Sequence, residues 1–325
     1  MAGPLRSSTT VVYAGIAGNT LVTVVKFAAA AITQSSAMLS EAVHSLVDTG
    51  NQLLMLYGLK RSALPPDAEH PLGHGRELYF WTFVVSILIF SVGAGVSVYE
   101  GIRHILHPVQ VQHPVVNYVV LALAAIFEGA SWWIALREFR ARKGQLGYFE
   151  AAVETKDPST LLLLLEDSAA LIGIALAFGG TGAAHAFGMP VFDGVASVAI
   201  GILLGLVAVF LARESKDLLI GEGARASLVA AIAEAARTQP GVAHFNGLLT
   251  FQIGPRQVVA AVSLAFENSL TAPEIEAVVE ELEARIRAAH PEVVMLLVKP
   301  QTSEAWREAR RRSGGLAAES SRLKS

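Results

Sequence analysis

Six apolar runs, each long enough to cross a bilayer as a helix, limit what this chain can fold into more than any other feature. They lie near residues 9–33, 35–60, 78–106, 114–138, 158–186 and 190–212. Only 16% of the 325 residues are charged, whereas an ordinary soluble domain has about 25%. We therefore expect residues 1–213 to form an all-α six-helix bundle embedded in a membrane.

The distribution of basic residues predicts the orientation of this bundle. The links after the second and fourth runs hold most of the basic charge, including Lys60, Arg61, Arg140 and Lys143, and the opposite side has Arg103. The positive-inside rule then puts both termini in the cytoplasm. The first run has no small-residue cleavage site after it, so we read it as a retained helix. We expect a multi-pass protein of the bacterial inner membrane.

Composition also excludes several classes of function. The chain has no cysteine, which excludes disulfides, thiolate metal ligands and cysteine nucleophiles. Its net charge of −3 and its lack of a long basic tract argue against a nucleic-acid partner.

After Arg213 the composition becomes that of a soluble domain, for which we take residues 214–302. Its hydrophobic patterns predict a helix, two strands around Gly254-Pro255, a second helix and a last strand. The order αββαβ favours a small α+β ferredoxin-like domain on the cytoplasmic side. The tail, residues 303–325, is expected to be disordered.

The second apolar run contains ionisable residues. His44 and Asp48 are four residues apart and share one helical face, with Glu41 one turn before them and Asn51 one turn after. An imidazole nitrogen and a carboxylate oxygen one turn apart form half of a site for a divalent transition metal. The other half must come from another helix.

The fifth run supplies carboxylates at a matching depth. Asp48 lies roughly 18 Å from the expected cytoplasmic end of its helix, and Glu166 and Asp167 lie roughly 12–14 Å from theirs, at 1.5 Å per residue. His44, Asp48 and Asp167 can therefore converge. Ionisable groups at this depth cost about 2.5–3.5 kcal/mol each, so they usually have a function. The alternatives are an interhelical hydrogen-bond pair and an intramembrane hydrolase, although the chain has no HExxH motif.

The chain resembles the cation diffusion facilitators, a family of divalent-metal/proton antiporters, and is most similar to the branch that contains zinc transporter nine. The resemblance rests on the helix-two run SAMLSEAVHSLVD and the loop HPLGHGRE, which are specific together. Its other elements are Asn19, Lys26, Asp167, the FDGVAS segment at 192–197 and the αββαβ tail.

The resemblance implies a transport site at His44, Asp48 and Asp167. The family usually has a fourth ligand four residues before that last Asp, where this chain has Leu163, which cannot bind a metal. Glu166 is the nearest substitute and Asn19 another, although adjacent helical residues point about 100° apart. In the loop, His70 and His74 are either a second place where metal is collected or residues that shape a turn.

The resemblance also implies the function: export of a divalent cation from the cytoplasm in exchange for protons, by a homodimer, with no enzymatic activity. Zinc is expected first, because one His with carboxylates suits a borderline cation. Manganese, iron(II) and cobalt stay open, and so does a transport-inactive scaffold or sensor that binds metal.

Two further acids, Glu128 and Asp193, are assigned roles apart from metal binding. Glu128, in the fourth run, either relays protons or pairs with Lys26. Asp193 follows Pro190 and is expected to cap the N-terminus of its own helix.

Overall fold

A computed structural model describes residues 5–143, residue 147 and residues 158–312. The link between the fourth and fifth predicted spans, around Lys156, and the end of the predicted tail from residue 313 lie outside the described residues. The chain divides into two compact units, one of residues up to 64, 77–143 and 158–216, and the other of residues 65–76 and 217–312.

The first unit is a helical bundle, which confirms the predicted membrane fold. Its helices are α1 (Leu5–Thr33), α2 (Ser36–Ser62), α3 (Glu77–Leu88), α4 (Gly95–Leu106), α5 (Pro114–Lys143), α6 (Pro158–Phe187) and α7 (Val191–Ile220). A π-helical segment, Ile89–Ala94, joins α3 to α4, so residues 77–106 form one spanning helix.

Five of these spans are long and apolar enough to cross a membrane. The helix α2 is also long, at 27 residues, but it carries the polar residues from Ser40 to Asn51, and these are mostly buried. Its N-cap is Ser35, whose side chain accepts the Met38 N–H at 3.0 Å. The least apolar helix is therefore the one whose polar side chains face the interior of the bundle.

The second unit contains α8 (Ala226–Arg237), β1 (Val242–Gly254), β2 (Gln257–Phe266), α9 (Ala272–Ala289) and β3 (Val293–Pro300). The strand order is β1-β2-β3, with β1 antiparallel and β3 parallel to β2. Apolar residues of both helices, including Ile232 and Leu282, pack with Leu264 of the sheet in one core. This arrangement confirms the predicted αββαβ fold.

The predicted disordered tail differs from the structure at its start, because residues Ser303–Arg312 form a helix, α10. The Ser303 hydroxyl donates to the Asn246 side chain at 2.7 Å. The Trp306 ring lies over Gly247, where a Cβ would stand only 2.6 Å from it. The Trp306 side chain thus packs α10 against β1, although most residues of α10 are charged.

Thr271 and Glu274 form a capping box at the start of α9, in which the Thr271 N–H and hydroxyl both donate to the Glu274 carboxylate at 2.7 Å. Thr271→Ala is expected to lower the local stability of α9 by about 1 kcal/mol. Hydrogen exchange on the full chain should then be about fivefold faster in the first turn of α9. Unchanged exchange there would contradict this role, and exchange in α8 serves as the internal control.

Candidate metal centre

His44 and Asp48, the half-site predicted on α2, lie next to each other in the structure. His44 and Asp48 are both buried, and His44 Nδ1 lies 3.4 Å from Asp48 Oδ1. Neither ring nitrogen of His44, nor Oδ1 of Asp48, has a hydrogen-bond partner among the described residues. A buried polar atom without a partner costs about 1–3 kcal/mol. A divalent cation or protons held between these atoms would remove that cost.

The helix α6 carries two carboxylates, Glu166 and Asp167, and each accepts a hydrogen bond from a different helix. Glu166 Oε1 accepts a hydrogen bond from Nδ2 of Asn51, which is one turn after Asp48 on α2. Asp167 Oδ2 accepts one from the Ser131 hydroxyl of α5, at 3.0 Å. Both carboxylates are buried. Glu166 is thus the acid that reaches α2, and Asp167 is held towards α5.

The hydrogen bond between Asn51 and Glu166 links α2 to α6 one turn after Asp48. Asn51 was the signal in the sequence for this contact, since it shares the face of His44 and Asp48 and needs a polar partner at that depth. The sequence alone favours Asp167 and offers Glu166 only as a substitute for the fourth ligand.

The hydrogen bond between Asn51 and Glu166 involves neither of the other two expected positions, Leu163 and Asn19. The Leu163 side chain is 39% exposed, so the family's usual fourth position neither carries a ligand nor points into the interior. Asn19 is half-buried on α1, where its backbone carbonyl oxygen accepts a hydrogen bond from the Thr23 hydroxyl at 2.8 Å.

A second group of potential ligands lies in the loop between α2 and α3. Asp67, His70 and His74 hold one ligand atom each within 4.8 Å of one another, and no other three His, Asp or Glu do so among residues 5–143, 147 and 158–312. His74 Nε2 lies 3.1 Å from Asp67 Oδ2, and His70 Nδ1 lies 3.3 Å from Asp67 Oδ1. His44, Asp48 and Asp167 are therefore not gathered as closely in this conformation.

The loop is shaped around Asp67. Asp67 Oδ1 accepts the N–H groups of Glu69 at 2.9 Å and His70 at 2.6 Å. The His70 N–H, and then the His74 side chain, lower the pKa of Asp67 to about 2. Because this pKa lies below its unfolded value, the bonds stabilise the loop above about pH 4 and are lost as the pH falls through about 2. The carboxylate is thus charged at neutral pH, as a metal ligand must be.

Asp193 differs from its prediction, because it caps another helix. Its carboxylate is fully buried and accepts the N–H groups of Ser36 at 2.6 Å and Ala37 at 3.2 Å, at the start of α2. It also accepts the hydroxyls of Ser35 at 2.6 Å and Ser36 at 3.0 Å. A carboxylate is favoured there because the helix N-terminus is positive and its N–H groups lack partners. These four hydrogen bonds hold the start of α7 against the start of α2.

Comparisons with known proteins agree with this architecture. The model of the cation efflux transmembrane domain matches residues 12–220. The human mitochondrial proton-coupled zinc antiporter SLC30A9 is 33% identical over 245 residues, which is 75% of this chain and 43% of that protein. Metal tolerance protein C4 of Arabidopsis thaliana is 32% identical over 62% of this chain and 45% of its own length.

A shorter relative matches over most of its length. Magnetosome protein MamM of Magnetospirillum gryphiswaldense is 28% identical over 84% of this chain and 82% of its own length. By contrast, the chain spans less than half the length of the human and Arabidopsis relatives.

Proposed function

Because the chain belongs to the cation efflux family, we propose that it carries a divalent cation, zinc first, out of the cytoplasm in exchange for protons. The observation that supports this most is the half-site on α2, where the nitrogens of His44 and Oδ1 of Asp48 are buried without partners. Two buried carboxylates on α6 provide the second half. Membership of a family of cation carriers argues against the intramembrane hydrolase.

The proposed ligands are His44, Asp48 and Asp167, with Glu166 as the fourth. Glu166 supplies the donor that Leu163 lacks, since its bond to Asn51 already places it against the helix that carries Asp48. One imidazole with three carboxylates suits zinc, which binds nitrogen and oxygen at tetrahedral sites. The same set also accepts iron(II), cobalt or manganese, so selectivity is a matter for experiment.

Exchange for protons follows from the chemistry of these ligands. A metal binds the deprotonated imidazole and carboxylates, so metal and proton compete for the same atoms. When the cation leaves on the far side, protons take its place and reduce the repulsion between carboxylates during the return. His44, Asp48 and the α6 acids then bind metal again on the cytoplasmic side.

The proposed setting is the inner membrane of a bacterium, with both termini in the cytoplasm. The basic links after the second and fourth spans support this orientation. The loop with Asp67 belongs to the same compact unit as the αββαβ domain, which supports placing both on one side. We take the working assembly to be a homodimer, with pairing of the αββαβ domains as its expected basis.

The loop of Asp67, His70 and His74 is proposed as a second cation site. His70→Ala is expected to weaken zinc binding in the loop at least about tenfold, because only two donors remain, so less zinc is bound at a free zinc concentration that half-fills the loop of the parent chain. The measurement is equilibrium dialysis of the purified chain. His107→Ala, which removes an exposed histidine elsewhere, is the matched control. Equal zinc content in both variants would exclude the loop site.

The function as a whole is tested by metal uptake into inside-out vesicles that contain the protein. Zinc, manganese, iron(II) and cobalt are compared at equal concentrations. Uptake of zinc above the other three supports the proposal, and preferred uptake of another ion changes the substrate but keeps the mechanism. No uptake of any of the four, with the protein folded, would favour the transport-inactive scaffold.

A further inference from the structure

A lysine lies fully buried in the membrane unit beside the proposed metal centre. The Lys26 side chain on α1 is 0% exposed. Its ammonium donates to Glu41 Oε2 at 3.1 Å and to the Ser45 hydroxyl at 2.8 Å, both on α2. It also lies 4.0 Å from Glu128 Oε1 on α5. A buried ammonium costs several kcal/mol unless it is paired in this way, so α1, α2 and α5 are held together through one charge.

The Glu41 carboxylate has one oxygen, Oε1, to which Lys26 does not donate. Glu41 is fully buried, and its Oε1 has no hydrogen-bond partner among the described residues. That atom points at Gly173 of α6, where a Cβ would stand only 2.3 Å away. Glu41 therefore reaches all the way to α6, the helix of Glu166 and Asp167, with one oxygen free to bind a cation.

These groups adjoin the metal centre closely enough to act on it. Glu41 is one turn before His44, and Ser45 is the next residue after it. Lys26 therefore contacts the residues of α2 on both sides of His44 in the chain, Glu41 and Ser45. Without a resident cation, Glu41 and Glu128 would add two carboxylates to a centre that already has three.

We propose that Lys26 determines specificity by occupying Glu41 and Glu128 as a fixed internal cation, so that neither carboxylate binds the transported metal. The centre then keeps its single imidazole in a four-ligand set that suits zinc. Without Lys26 the released carboxylates make a centre rich in oxygen, which favours manganese and accepts a second cation. This inference rests on the proposed function, because it assumes that His44 and Asp48 bind the cargo.

The test compares zinc and manganese binding by the purified full chain in lipid nanodiscs, measured by equilibrium dialysis and metal analysis. Lys26→Met is expected to lower the preference for zinc over manganese by at least about tenfold and to add one bound manganese per chain. Lys26→Arg keeps the charge and should keep the preference. Lys26→Met with Glu41→Gln should restore most of it, which a merely structural lysine would not do.

A folded Lys26→Met protein with the preference of the parent chain would overturn the proposal. If Lys26→Met does not fold, zinc binding by Glu41→Gln is measured instead, because Lys26 still pairs with Glu128 in that variant. Zinc affinity within about threefold of the parent supports the proposal, and a tenfold loss would make Glu41 itself a ligand and overturn it. Asp48→Asn is measured in parallel: undiminished zinc binding in that variant refutes the proposed function, whereas the comparison at Lys26 judges only this inference.

Discussion

Asp48→Asn is expected to reduce zinc transport by at least about a hundredfold, since losing even a group that merely orients a ligand costs about 10–100-fold. Asparagine keeps the size of the side chain but removes the negative charge to which we assign the binding of the cation and of the returning proton. Asp167→Asn should have a similar effect. The measurement is the initial rate of zinc uptake into vesicles with matched amounts of folded protein.

Glu100→Gln is the matched control for these variants. Glu100 is an acid of the same bundle whose partner is the exposed Arg103 on α4, at 3.3 Å. Its variant should transport zinc at the parent rate. If Asp48→Asn keeps more than about a third of that rate, Asp48 is not a ligand that the cycle requires.

Asp193→Ala is expected to destabilise the bundle by about 3–5 kcal/mol, which is a large part of the stability of a typical domain. The change leaves the N–H groups of Ser36 and Ala37 buried without their acceptor and removes the link between α7 and α2. Water cannot replace the carboxylate easily inside a membrane protein. The measurement is the free energy of unfolding in mixed micelles under reversible conditions.

Asp193→Asn provides the comparison for this prediction. An amide keeps one oxygen as an acceptor. The asparagine variant should therefore lose less free energy of unfolding than the alanine variant, but still a measurable amount. An alanine variant within about 1 kcal/mol of the parent chain would show that the cap contributes little.

Much of the fold was predictable because its causes are local. Apolar runs of spanning length predicted the helices, and alternating patterns between Val242 and Phe266 predicted the hairpin of the soluble domain. The half-site of His44 and Asp48 was equally local, because helical pitch alone places these side chains on one face. Matching depth in the membrane then added the acids of α6, and the family resemblance favoured Asp167 over Glu166.

The remaining contacts depend on packing between elements distant in the sequence. Asp193 caps a helix that begins 157 residues earlier, and no local pattern specifies that partner. Glu166 faces α2 because Asn51 meets it there, which depends on how two helices are rotated. The tail has the composition of a disordered segment. The helix α10 nevertheless forms there, because the Trp306 ring packs against Gly247, which has no side chain.

Exchange of zinc for protons is tested most directly by measuring zinc and proton movement simultaneously in sealed proteoliposomes that contain the full chain. With zinc added outside, we expect zinc entry together with alkalinisation of the lumen, as protons leave. Both signals should be absent with Asp48→Asn and faster when the lumen is more acidic than the outside. Zinc entry that moves no protons and ignores the imposed gradient would contradict exchange, and identical fluxes in the Asp48→Asn protein would contradict the site.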